Sequence, residues 1–346
     1  MPKEIRNPKT EAVTGPARSD FGLRASFGSR ISAFGFLHRH FRELSVAAAL
    51  GVLLLVLAVV APAFFGKQQL LTTLTTTAPV LIVACGMALV IIARQIDISI
   101  GSQFALCSIF AGLLAKAGMP MPVVALGAIV GGAALGAFNG VLVSGLGLPS
   151  IVVTLATMVT WREALRWWRE GEFVKDLPDG FQWFGFGQAG GQVAILFGAV
   201  LVFSALAFAM KHFAAGRFVY AVGSDREAAR LAGLRPAGVT FGVFVLMGAL
   251  VGLAALLNAI RFADVDPKTG TGLEMQTIAA VVVGGVAISG GRGNLWGVLA
   301  GVLLLACIAP ALVFLKMPPQ WEKAIQGAII LLAVAADGWR TKREKN

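Results

Sequence analysis

The sequence predicts an all-α integral membrane protein with about ten transmembrane helices, and three observations carry that expectation. Mean hydropathy is +0.80, and 57% of residues are apolar against 14% charged, more apolar surface than a water-soluble chain can hide. Apolar runs of about 20 residues, the length a helix needs to cross a hydrocarbon core about 30 Å thick, recur along the chain. The two-residue alternation that marks a membrane barrel is absent.

Hydropathy places the spans at 44–65, 74–93, 98–115, 122–144, 149–161, 193–211, 238–260, 274–289, 294–315 and 321–338. The fifth and eighth are short, and the third begins straight after a polar turn, so nine or eleven spans also fit. Lys and Arg favour the cytoplasmic ends of short loops. With the N-terminus inside, most of the 29 Lys and Arg fall in 1–43, at Arg94, in 211–237, at Arg292 and after residue 338, all cytoplasmic. Both termini are then cytoplasmic, and membrane orientation accounts for the net charge of +11 without nucleic acid. Residues 1–43 are too long and too charged for the n-region of a secretory signal and read as a retained cytosolic tail, with a second basic tail at 339–346.

Composition removes several mechanisms. Cys85, Cys107 and Cys307 all sit in apolar runs and read as small buried hydrophobes, not as disulfides or metal ligands. His38, His40 and His212 lie in basic flanks without partners at ligand spacing. A proton-coupled carrier needs titratable groups inside the membrane. Yet Val46 to Phe64, Leu74 to Ile92, Val123 to Ser144, Val193 to Met210, Val239 to Ile260 and Met275 to Gly291 contain no Asp, Glu, Lys, Arg or His. No phosphate-binding G-x-x-x-x-G-K-[ST] loop occurs either, so the chain does not bind ATP by that route and ATP-driven transport needs another subunit, while sodium coupling through backbone carbonyls stays open.

Glycines recur at helical spacing: Gly127, Gly131 or Gly132, Gly136 and Gly140, then Gly248 with Gly252 and Gly297 with Gly301. They let helix backbones approach closely, with a smooth wall along a solute path as the alternative for the fourth span. Uncharged polar residues are sparse, and each needs another helix or a wet cavity. Gln103, Asn139, Thr154, Thr157 and Asn258 are the candidates for a translocation path. For Asn139 and Asn258, plain interhelical hydrogen bonding is the competing reading.

One segment does not fit an apolar chain. SDREAARLAGLRP (224–236) holds five charges, and Ser224 three residues before Glu227 has the form of a capping box. Asp225 and Glu227 suit a helix N-terminus, Arg230 its later turn, and Gly233 and Pro236 its end. A helix of two turns, Asp225 to Ala232, is too short to span and marginal without support. Its small face of Ala228, Ala229 and Ala232 beside Leu231 fits a groove on a partner; a solvated loop is the alternative.

GRFVYAVGSDREAARLAGL (216–234) resembles the cytoplasmic coupling loop of permease subunits in the ribose, xylose, rhamnose and autoinducer-2 branch of bacterial ABC importers. QIDISIGS (95–102), LPSIVVTLATM (148–158) and IAAVVVGGVAISGGRGNLWGVLAGVLL (278–304) agree with that branch, and the likeness covers about 45–338. The resemblance implies a type II-like importer permease domain over 44–338, with coupling loop 212–237. It implies a permease dimer, homo- or heteromeric, a cytosolic ABC ATPase that hydrolyses ATP with Mg, and a periplasmic sugar-binding protein. This chain itself would bind no cofactor and catalyse no reaction. Ser224, Asp225, Glu227, Ala228, Ala229, Arg230 and Gly233 become its ATPase-coupling residues, with Glu227-Ala228-Ala229 and Gly233 echoing the EAA-x-x-x-G signature of another importer class. Gln95 stands where a glycine is common in this branch.

Two further turns read as cytoplasmic re-entries, Arg94 to Ser102 and Ser289 to Asn294, with Asp97 and Arg292 as an expected ion pair. The second also has the look of a phosphate nest. The external segment, 161–192, combines Trp161, Trp167 and Trp168 with Arg162, Arg166 and Arg169. This pattern suits the lipid interface, a sugar-stacking surface or the rim on which a binding protein docks. WREALRW (161–167) and DLPDGFQWFG (176–185) are similar to relatives associated with rhamnose uptake, which favours a deoxyhexose or a pentose such as ribose. A self-sufficient secondary carrier or channel for a small neutral solute is the rival reading, and a non-transporting scaffold a third.

Overall fold

The structure, a computed structural model, describes residues 45–318 and 320–343; the expected N-terminal tail lies outside the described residues. A helix stands at each of the ten expected segments. These are α1 (Ser45–Val60), α2 (Lys67–Ile92), α3 (Ile100–Lys116), α4 (Met121–Gly140) and α5 (Ser150–Arg169). There follow α6 (Gly187–His212), α9 (Pro236–Ala259), α10 (Leu273–Val283), α11 (Leu295–Phe314) and α12 (Gln320–Arg343). Two more helices, α7 (Ala214–Ser224) and α8 (Arg226–Leu231), occupy the charged insert. Among the described residues, α2, α4 with its π-helical extension to Gly145, α6, α9 and α11 are long and apolar enough to cross a bilayer.

Several boundaries move for local reasons. Proline starts α9 at Pro236, where its missing amide costs nothing, and Asn294 caps α11 by accepting the Trp296 amide. The expected eighth span ends six residues early, because Gly284 closes α10 at Val283 and Gly285 turns into the left-handed region at φ 89°. In the opposite sense, α5 does not stop at 161. It carries the Trp/Arg run as its last two turns and ends at Arg169, with Glu170 left-handed as its C-cap.

The core is built around α2, buried almost continuously from Thr75 to Ile92 and packed by α6, α9, α10 and α11. Its threonines stay compatible with an apolar setting by donating back to their own helix, Thr75 to the Leu71 carbonyl and Thr77 to the Thr73 carbonyl. The tightest helix pair is α4 with α9. A Cβ at Gly132, Gly136, Gly248 or Gly252 would collide with backbone of the opposite helix. The same close approach joins α10 to α11, where Gly284 lies against Gly297 and Gly301 against the Ala280 carbonyl. These glycines are used for packing, the device by which helices associate where lipid offers no hydrophobic drive. The outer faces of α4 and α6 remain bare and apolar, with Leu126, Val130, Phe197 and Val200 exposed.

Candidate functional site

The charged insert is mounted on the rest of the molecule at a junction of three turns. Here α2 ends at Ile92, α7 ends at Ser224 and the loop between α10 and α11 turns at Gly290 and Gly291. The Ile92 carbonyl, one of the four that a helix end leaves without an internal partner, accepts the Gly291 amide at 2.8 Å. Gly223 is pressed against that same carbonyl, Gly290 against Arg94 and the Gly223 carbonyl, and Gly291 against Ser224. Tyr220 ties α7 to the same loop by donating to the Gly293 carbonyl at 2.8 Å. Three stretches far apart in sequence, 92–94, 220–224 and 290–293, thus form one contiguous block. The glycine turn serves as the sharp re-entry, since its Gly291 amide is spent on Ile92 and the Ala287 amide closes the loop on the Arg292 carbonyl.

The cap of α8 differs from the expected one. Ser224 is the last residue of α7, and the first residue with extended, cap-type backbone is Asp225, at φ −151° and ψ 110°. Its carboxylate accepts from both the Glu227 and the Ala228 amides at 2.9 Å. Glu227 turns away from the cap and takes Arg230 at 2.6 Å, so the reciprocal box does not form. Gly233, at φ 84°, ends the segment as expected. The alanine face is divided: Ala229 is buried against its own chain while Ala228 and Ala232 face outward. Beside them Leu231 is 80% exposed, the most conspicuous apolar side chain on the knob. The amphipathic helix α7, which the sequence reading left inside a loop, is the element that presents it.

The pair expected between Asp97 and Arg292 is not formed. Arg292 is exposed, whereas Asp97 is fully buried in a non-helical stretch between α2 and α3. Its carboxylate accepts from the Ser99 amide at 2.9 Å, the Ser99 hydroxyl at 2.5 Å and the Gln103 side chain at 3.1 Å. Ser99 Oγ in turn accepts from Gln103 and from Asn139, each at 2.8 Å. Two of the proposed path residues, Gln103 and Asn139, are therefore brought together with Asp97, and Ser99 is the hub between them. A buried carboxylate needs this many donors to offset its lost hydration. The stretch is held along α5, the Ile96 amide donating to Ser150 and Thr154 donating to the Ile96 carbonyl. Irregular backbone of this kind is stable in a membrane protein only where protein encloses it.

Of the remaining path residues, Thr154 borders this stretch through its bond to the Ile96 carbonyl, whereas Thr157 and Asn258 lie elsewhere. Thr154 and Thr157 donate chiefly to carbonyls of their own helix, and Asn258 sits at the far end of α9. There Asn258 accepts from Arg261, whose other arm donates to Thr76 of α2 at 2.8 Å. Burial lowers the pKa of this half-buried guanidinium, which has no carboxylate within ion-pair distance among the described residues. A second inward arginine, Arg162 of α5, donates to the Thr269 carbonyl and to Thr271. Neither arginine was identifiable from local sequence, because each reads as an interfacial charge until the helices are packed.

Among the described residues, the arrangement is a multi-helix body with five helices long and apolar enough to cross a membrane and a short charged helix mounted at one end of it. The chain belongs to the family described as branched-chain amino acid transport system / permease component, whose model matches residues 69–334. Within it, the chain is a permease of the ribose and autoinducer-2 branch of ABC importers and not an enzyme. It is 35% identical over 299 residues to the autoinducer 2 import system permease protein LsrC of Enterobacter sp. (strain 638), covering 86% of this chain and 87% of that one. The LsrC proteins of Salmonella typhimurium and Escherichia coli K12 are each 34% identical over 75% of this chain, with 74% and 75% of their own length covered. No solved structure matches the chain.

Proposed function

We propose that this chain forms the membrane path of an ATP-driven importer for a small polyhydroxylated solute and transmits the ATPase cycle through α8. The observation that carries the reading is the mounting of α8. A six-residue helix, capped by Asp225 and presenting an exposed Leu231, sits on a junction that grips the end of the central helix α2. So short a helix gains its stability from what it docks on, and the junction gives motion at that dock a route into the membrane. A cytosolic ABC ATPase binding ATP and Mg is the partner that fits, with Glu227, Ala228, Arg230 and Leu231 at the contact. A second permease, identical or related, completes the path, and a periplasmic binding protein delivers solute to the opposite face. The chain then lies in the bacterial inner membrane with both termini cytoplasmic.

The relatives are named for import of autoinducer 2, and autoinducer 2, rhamnose and ribose are the solutes to test. Co-purification of the ATPase with wild type, Glu227→Lys and Leu231→Asp tests the dock. Retention by wild type and loss by Leu231→Asp is the expected result. Accumulation of solute in liposomes by the purified chain alone, without ATPase, would overturn the reading.

A further inference from the structure

Across the molecule from the coupling junction, three adjoining cavities share the same few side chains. Thr76 lies 16 positions before Ile92 on α2, about 24 Å along the helix. Asn258 and Arg261 lie at the end of α9 farthest from α8. The largest cavity, about 400 Å³, is lined by Thr76, Asn258, Arg261, Asp264, Asp266 and Thr269, with the exposed rings of Phe173 and Phe262 at its side. A second, of about 210 Å³, shares Thr76, Asn258 and Thr269, and a third, of about 120 Å³, shares Arg261 and Phe262. The main volume falls in the range of small-molecule sites, about 300–1,000 Å³.

We infer that this vestibule is a reception site for an uncharged polyhydroxylated solute, with Arg261 as its principal hydrogen-bond donor. The inference rests on the permease reading and adds the place and chemistry of first contact. Arg261 is fixed by two bonds, to Asn258 at 3.2 Å and to Thr76 at 2.8 Å, and its guanidinium lies 5.3 Å from the Phe262 ring. A guanidinium has five N–H donors, so this clamp orients it without exhausting it. Its Nε–H has no partner, although it is buried. Asp264 and Asp266 line the same space yet form no ion pair with Arg261, so donors and carboxylate acceptors stand side by side. Neighbouring hydroxyls, each both donor and acceptor, satisfy such a mixed lining. An anion would meet the aspartates, and a cation would meet the arginine. The exposed phenyl rings supply the apolar surface on which the C–H face of a sugar ring rests.

The test uses the full chain with its ATPase and binding protein in proteoliposomes, with radiolabelled ribose, rhamnose and autoinducer 2 as probes. Arg261→Gln is expected to raise the KM for the transported probe about tenfold, the loss of one charge-assisted hydrogen bond, while saturating turnover changes far less. Arg261→Lys, which keeps the charge but not the fork, recovers only part of the loss. In parallel, Thr269→Cys is exposed to a membrane-impermeant maleimide, the native cysteines being buried; the transported probe is expected to slow labelling. Wild-type kinetics in Arg261→Gln together with unprotected labelling overturns the vestibule and leaves the permease reading intact. Failure of the wild-type complex to accumulate any of the three probes with ATP overturns the sugar-type reading, and the inference with it.

Discussion

Ser99 shows how much of this interior depends on single hydrogen bonds. One hydroxyl donates to Asp97 and accepts from two amides, so removing the acid disarms the whole group. Asp97→Ala strips the acceptor from the Ser99 hydroxyl and from Gln103 in a fully buried site. A loss of about 2–4 kcal/mol is expected, seen as a lower melting temperature of the detergent-solubilised protein. Asp97→Asn, which keeps the shape, loses less. Arg94 is a different case. At φ 62° it holds left-handed backbone with a side chain that disfavours it. Arg94→Gly should relieve this strain and raise the melting temperature, against a cost of about 1 kcal/mol for the native residue. A lower melting temperature would show that the side chain, not the backbone, matters there.

At the scale of elements, the α4–α9 pair and the α8 knob make opposite use of small residues. Gly248 sits against the Gly132 carbonyl with no room for a side chain. Gly248→Leu should therefore force the helices apart, costing about 3 kcal/mol or more and lowering the yield of folded protein in size-exclusion chromatography. On α8 the small residues Ala228 and Ala232 leave an exposed surface. Asp225→Ala removes both amide caps and is expected to cost that helix about 1 kcal/mol. Since α8 packs little against its own chain, the effect should show in ATPase co-purification and leave global melting nearly unchanged.

For the molecule as a whole, the junction of turns is the testable link between the two faces. Gly223→Ala introduces a methyl against the Ile92 carbonyl and has to shift either α7 or the end of α2. It is expected to keep the ATPase bound but to lower ATP-driven uptake at least about tenfold, since a small misplacement at a coupling contact is felt across a bistable path. Equal uptake in wild type and variant would show that the junction is scaffold and not transmission. Much of this was legible beforehand. Period and length of the apolar runs placed every long helix, and the density of charge in 224–236 marked the knob, because a membrane chain cannot spend charges inside lipid. Asp97 was misplaced for the same reason: an acid at a span boundary reads as solvated, and only the fold of 93–99 along α5 buries it. The sequence by itself determined the membrane class, the helix order and the location of the charged insert, since those follow from local hydropathy and capping. Tertiary structure alone decided that Asp97, Gln103 and Asn139 share one hub, that Ile92 meets Gly291 and that Arg261 reaches Thr76. Each of those contacts joins residues on different helices, and which faces meet depends on packing that no local pattern encodes.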